Sequence, residues 1–275
     1  MGWLHHAWLR QSMENYCGLT NGCAPGVHAY IVQRVKKLAP LKSGVLDLGA
    51  GTGALLLRLR HEGFEDLCAA DLAADYFGLH DTPFVRVDLN GDFVSEFDRR
   101  FNVVCMSEVI EHLDSPRRAL SQARDLLEED GYLVLTLPNV GFWEGRLKFL
   151  WKGELWGFGE QNYRAIRHIS PMTIGLLKLT LREIGFLVVH SGVAGSFATV
   201  LRRALFAPLW LPIYAVGGPE VMSECVGIVA QKAEPDRELA VSSKSGASRH
   251  ISPPAETADA SQSSHSVLNA LVEGG

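Results

Sequence analysis

No Cys-x-x-Cys pair, no long apolar run, no internal repeat and no excess of positive charge occur in this sequence. Its five cysteines stand at 17, 23, 68, 105 and 225. That spacing offers neither a zinc knuckle nor a dithiol redox motif, and an odd count is no disulfide framework. Cys68 and Cys105 fall inside apolar stretches and read as small core residues of a reducing, cytoplasmic chain. No uninterrupted apolar span reaches the roughly 18–20 residues that cross a bilayer. No basic start followed by an apolar run opens the chain, so no signal peptide is expected. A net charge of −5 removes any whole-chain reason to expect nucleic acid as a partner.

What is present is a glycine-rich turn. Val45-Leu46-Asp47-Leu48 reads as a buried strand and runs into Gly49, Gly51 and Gly53, then into the helical run Leu55–Leu59. Glycine at alternate positions lets the chain turn sharply and lets a ligand approach the backbone. The following helix offers free N–H groups to a carboxylate or phosphate. The dinucleotide turn is G-x-G-x-x-G. Here the spacing is G-x-G-x-G, with Ala54 where the last glycine would stand. Asp47, just before the glycines, suits a ligand with a cationic end and repels a pyrophosphate. S-adenosylmethionine has such an end.

Asp47-Leu48-Gly49-Ala50-Gly51-Thr52-Gly53 resembles the first motif of class I S-adenosylmethionine-dependent methyltransferases. The order of later segments agrees with it. A short apolar strand ends at Asp71-Leu72, where a carboxylate at the tip can accept both ribose hydroxyls. Phe84–Leu89 is a third strand tipped by Asp88, and the resemblance implies that Asp88 and Leu89 meet the adenine. The fourth strand, Phe101–Met106, leads into Ser107-Glu108-Val109-Ile110-Glu111-His112-Leu113, similar to a signature of small-molecule members. The cofactor set is therefore Asp47, Gly49, Ala50, Gly51, Thr52, Gly53, Asp71, Leu72, Asp88, Leu89, Ser107 and Glu108.

The remaining pattern fills an α/β fold. A helix is expected over Val27–Leu38, stopped by Pro40, and another from Ser115-Pro116 to Glu129, ended by Gly131. Strands follow at Tyr132–Asn139, Gly185–His190 and Glu224–Ala230, with a helix over Met172–Ile184. The expected architecture is a doubly wound, mostly parallel seven-stranded sheet, Rossmann-like, and the resemblance adds an antiparallel last strand near one edge. Residues 1–26 form an N-terminal segment in which Trp3, Leu4, Trp8 and Leu9 suggest a short helix. Residues 27–233 form the methyltransferase domain. The Ser- and Ala-rich stretch 234–275 reads as a disordered tail, with Val267–Val272 as a short docking segment.

Two segments bear on the acceptor. Residues 140–168 hold Phe142, Trp143, Phe149, Trp151, Trp156, Phe158 and Tyr163, read as a lid over the ligand edge or as an aromatic subdomain core. The apolar run within 201–216 follows Arg202-Arg203 and is broken by Pro208 and Pro212. It reads as a packed connection, a dimer contact, or a peripheral membrane contact with the arginines near headgroups.

An oxygen acceptor must lose its proton, and histidine is the side chain suited to take it near neutral pH. His112 and His168 are the candidates. Glu108, Glu111 and His112, at i, i+3 and i+4, would share one face of a helical turn as cation ligands. The favoured reading of these acids is cofactor and backbone bonding, with no metal. The expected function is methylation of an oxygen on a small or lipid-linked acceptor, a glycan or quinone-like ring. A non-catalytic S-adenosylmethionine-binding partner or sensor would need the same loop and is the alternative.

Overall fold

The structure is a computed structural model that describes residues 12–235. The helix expected near Trp3 and Trp8, and the tail beyond 235 with its Val267–Val272 segment, lie outside the described residues.

A short hairpin, β1 (Asn15–Tyr16) with β2 (Leu19–Thr20), precedes the main sheet. That sheet holds β3 (Val45–Leu48), β4 (Leu67–Asp71), β5 (Phe84–Arg86), β6 (Phe101–Ser107), β7 (Leu127–Pro138), β8 (Phe186–Gly195) and β9 (Cys225–Lys232). Their spatial order is β5-β4-β3-β6-β7-β9-β8. The first five run parallel, and β9 lies antiparallel between β7 and β8. Strand order reverses at β3, so the carboxyl ends of β3 and β6 open a crevice, the usual ligand position in such sheets.

Period-two alternation builds a core on each face. Leu46, Leu48, Val104 and Met106 pack on one side with α3 (Pro116–Asp125) and α6 (Ile174–Glu183), through Leu120, Ala123, Leu177 and Leu181. Val45, Val103 and Cys105 pack on the other with α1 (Val27–Leu38) and α2 (Ala54–His61), through Ile31, Val35, Leu55 and Leu59. The sheet closes tightly on α1 at Gly227, where an added Cβ would stand 2.2 Å from the Tyr30 ring. Gly227→Ala is expected to cost about 1–3 kcal/mol, the usual penalty for overpacking. Thermal denaturation checks this, and an unchanged midpoint would mean that Tyr30 moves aside freely.

Several boundaries differ from the sequence reading, with β5 ending at Arg86 rather than Leu89 and β8 running on to Gly195 rather than stopping at His190. The third helix stops at Asp125 rather than Glu129, and β7 begins at Leu127, pairing with Phe101. Leu127 is fully buried, and a strand pairing wins over one more helical turn. Gly131 therefore lies inside β7 and does not end a helix; a Cβ there would meet the Glu128 carbonyl at 3.0 Å. The helix expected from Met172 starts at Ile174, with the Thr173 hydroxyl accepting from Leu176 N–H as its cap.

The aromatic insertion divides. Phe142 and Trp143 are buried, and Phe142 packs edge-on against Trp156 with ring centres 5.1 Å apart. Phe149, Trp151 and Tyr163 are exposed. Two helices, α4 (Trp143–Lys152) and α5 (Glu160–Ile166), carry them. The segment is thus part aromatic core and part open surface.

The 201–216 run forms α7 (Val200–Leu205) and α8 (Ala207–Gly217), the latter holding Pro212 within it. Arg202 does not reach outward. It is 3% exposed, ion-paired with Glu144 of α4 and 3.9 Å from Glu224. A buried guanidinium is tolerated only with carboxylate partners, so this triad fastens α7 to α4 and to the sheet.

Candidate functional site

The site begins where β3 ends. Gly49, Gly51 and Gly53 all take positive φ, at 83°, 51° and 85°. Gly49 and Gly51 do different work. A Cβ on Gly49 would stand 2.5 Å from Val109, so glycine there lets the loop meet the β6 loop. A Cβ on Gly51 would meet nothing within 4 Å, so its backbone faces open space. The Gly51 N–H donates to one Asp71 oxygen at 2.8 Å and Ala73 N–H to the other at 3.1 Å. These bonds fix the Asp71 carboxylate at the mouth and leave lone pairs on both oxygens.

Asp47 lies beneath the loop, 2% exposed, and its Oδ1 has no hydrogen-bond partner among the described residues. Burial, with the Asp71 charge adding, pushes its carboxyl up to about 7. An orphaned acid in an interior is costly unless a cation or donor arrives.

A cleft of about 350 Å³ opens beside the loop, lined in part by Gly49, Asp71, Leu72, Asp88, Leu89 and Glu108. Six of the twelve expected cofactor residues thus share one cavity. Ala50, Gly51, Thr52 and Gly53, which continue the loop from Gly49, and Asp47 and Ser107, near the carboxyl ends of β3 and β6, are not part of its lining. Thr52 is turned elsewhere, donating from Oγ1 to the Thr20 carbonyl at 3.1 Å. Asp88 is exposed, past the end of β5, and its carboxylate accepts Asn90 N–H at 2.9 Å. Val87, Asn90, Val109 and Leu113 also line the cleft and escaped the sequence reading.

The Glu108-to-His112 segment is not a helical turn at its start. Glu108 has φ 54°, a left-handed conformation that costs a non-glycine residue about 1 kcal/mol or more. Only Ile110–His112 is helical, as a 3₁₀ turn. The helical face that would put Glu108, Glu111 and His112 side by side therefore does not form. Glu108 accepts from the Cys225 thiol at 3.2 Å, and burial raises its carboxyl to about 7. Glu111 is 1% exposed with neither oxygen hydrogen-bonded among the described residues. Burial first, then the Glu108 charge, drives its carboxyl well above the ordinary range.

The chain folds back to join His168 to His112. The Glu111 carbonyl accepts from Ile169 N–H at 2.9 Å and Ser170 N–H at 3.0 Å. The imidazole rings then meet edge-on, centres 4.7 Å apart, with Phe158 5.4 Å from His168. His168 Nδ1 lies 2.8 Å from the Gly157 carbonyl. A carbonyl only accepts, so Nδ1 carries the proton and Nε2 keeps its lone pair. Burial lowers the pKa of both histidines, which favours the neutral, proton-accepting form. Glu111, His112 and His168 also bring one ligand atom each to within 4.8 Å of one another, a mixed oxygen and nitrogen set.

The sequence profile of the family described as "Methyltransferase domain" matches residues 26–191. The chain belongs to that family. No curated protein is similar enough in sequence to match. Among solved structures, a SAM-dependent methyltransferase from Archaeoglobus fulgidus has a TM-score of 0.52 at 20% identity, covering 74% of this chain and 94% of its own. An S-adenosylmethionine-dependent methyltransferase from Clostridium acetobutylicum gives 0.52 at 10% identity, over 78% and 93%. Likeness at these identities establishes the methyltransferase fold. The donor of that fold is S-adenosylmethionine. The residues present fit it: the orphaned Asp47 Oδ1 answers an ammonium, and the open side of Gly51 admits a ligand against the backbone. Among the described residues no helix is long and apolar enough to cross a membrane.

Proposed function

We propose that this methyltransferase transfers the methyl group to an oxygen of a small or lipid-linked acceptor, a glycan or quinone-like ring. The observation carrying this reading is His168: a neutral imidazole with Nδ1–H held by a carbonyl and a free Nε2, beside the cleft. A hydroxyl becomes a competent nucleophile only as its proton is taken, and a neutral imidazole is suited to take it. Phe158 against His168 supplies an aromatic wall suited to a ring or sugar face.

S-adenosylmethionine, when bound, supplies a methyl group on a sulfonium that leaves as a neutral thioether. The chain's own residues orient and deprotonate. Asp47 would hold the ammonium, Asp71 the ribose hydroxyls, and Asp88 with Leu89 the adenine. His168 Nε2 would take the acceptor proton while Phe158 and His112 confine the acceptor. Alignment of this kind contributes on the order of 7–11 kcal/mol.

The test is transfer of a labelled methyl group to paired acceptors that differ only in hydroxyl or amine. Labelling of hydroxyl acceptors supports the reading, and labelling of amines alone refutes it. Asp71→Ala is expected to weaken the donor about 10- to 100-fold, since hydrogen bonds to a charged acceptor contribute about 1.5–3 kcal/mol each. A calorimetric Kd equal to that of the wild type would remove Asp71 from the ribose role. A cation on Glu111, His112 and His168 would occupy the lone pair the base needs. Dialysis against a chelator is therefore expected to leave turnover unchanged, and loss restored by a divalent ion would replace the base with a metal.

A further inference from the structure

The outer face of the lid has the composition of a surface that meets a membrane. In α4, Leu150 and Trp151 are 83% and 88% exposed, with Leu147 and Phe149 also open. No side chain of α8 is buried, although Leu209, Trp210, Leu211, Ile213 and Tyr214 run along it. The two helices are in contact, and the Trp143 ring lies 6.1 Å from Phe206 where α8 starts. A water-facing helix would be polar on its outer side, and a core helix would be covered. This one is neither, and Pro212 gives it no propensity to stand alone.

Charge selects the occupant. Residues 141–168 and 199–217 carry seven Lys or Arg and three Glu, in a chain whose net charge is −5. Each of the three acids is already paired: Glu144 with Arg202, Glu154 with Lys148, Glu160 with Arg164. Lys152 and Arg203 are exposed beside Trp151 and Leu205. A second copy of this chain would bring the same excess of cations against itself. An anionic bilayer surface offers both apolar depth and opposite charge.

We infer that α4, α7 and α8 form a docking surface for an anionic lipid bilayer. The buried Arg202 triad fixes this apolar arm to the sheet. The same lid segment that carries α4 places Phe158 on His168, so acceptors partitioned into the bilayer would be delivered at the base. The inference deepens the lipid-linked side of the proposed function, but its test reads vesicle binding without methyl transfer, so either reading can fail alone.

The full chain would be sedimented with vesicles of phosphatidylcholine alone and of phosphatidylcholine mixed with phosphatidylglycerol. Binding is expected to the anionic vesicles and to fall with added salt. Lys152→Glu with Arg203→Glu should weaken it by roughly tenfold or more, and Leu150→Ser with Trp151→Ser should do the same. Donor titration of each variant checks that it is folded. No binding to anionic vesicles, or binding unchanged in both folded variants, overturns the inference. So does a concentration-dependent dimer that the Leu150→Ser, Trp151→Ser variant dissolves.

Discussion

Replacing His168 with alanine should cut kcat by about 10²–10⁴-fold, the usual contribution of a positioned base, and leave the donor Kd unchanged. Each part follows from the geometry. His168 is absent from the cofactor cleft's lining, so donor contacts survive. Its Nε2 is the lone pair available to an acceptor, because the Gly157 carbonyl fixes the proton on Nδ1. The pH profile should change as well. Burial holds the imidazole below its ordinary range, which favours the neutral, proton-accepting form. Wild-type activity should decline only as pH falls through the lowered value. In His168→Ala that acid limb disappears with the base. A variant that retains wild-type kcat would move the proton transfer to His112 or out of the mechanism altogether.

Asp47→Asn should make the ligand-free protein more stable and the donor complex weaker. In the unfolded chain this carboxyl ionises near 3.8, and in the folded one near 7, because burial and Asp71 both oppose the charge. The folded pKa is the higher, so folding favours the protonated form. Stability is whole below about pH 3.8 and is lost progressively as pH rises through about 7. Asparagine removes that loss. Its advantage over the wild type should be close to zero near pH 4 and approach on the order of 4 kcal/mol above about pH 7.5, by the linkage of about 1.36 kcal/mol per pKa unit. Donor affinity should drop about 10- to 100-fold, the range for a lost charged hydrogen bond. Urea unfolding at the two pH values and calorimetry with S-adenosylhomocysteine would read both effects. Equal stability at the two pH values would show that Asp47 is not held uncomfortably in the fold.

The sheet was readable because most of its strands are apolar runs, with β3 running into the glycine turn and β4 ending at Asp71, and the helices on both faces keep their period. The boundaries at α3 and β7 were not. Leu126 and Leu127 continue the helical spacing, and only the pairing of Leu127 with Phe101 converts the second leucine to strand. Gly131 looked like a stop, yet it serves close packing within an extended segment. In the site, the glycine loop and the acids at or beyond the strand ends are local signals, and the structure brings Gly49, Asp71 and Asp88 to one cleft. The meeting of His112 with His168 is a tertiary event, made by two backbone bonds to the Glu111 carbonyl, and no spacing rule encodes it. The left-handed Glu108 likewise has no sequence mark, since glutamate rarely takes that conformation. Arg202 departs from one of the three readings of its segment, the headgroup contact, and fits another, the packed connection. Its neighbour Arg203 and the apolar run beside it suggest a headgroup contact, while Glu144 and Glu224 claim it for the interior.

Calorimetric titration with S-adenosylmethionine and S-adenosylhomocysteine decides whether the β3–β6 crevice holds the donor through Asp47 and Asp71. One site per chain is expected for both ligands, weakened by Asp71→Ala and by Asp47→Asn. A wild-type protein that is folded and gives no heat with either ligand would contradict it, and the glycine loop would then serve another molecule.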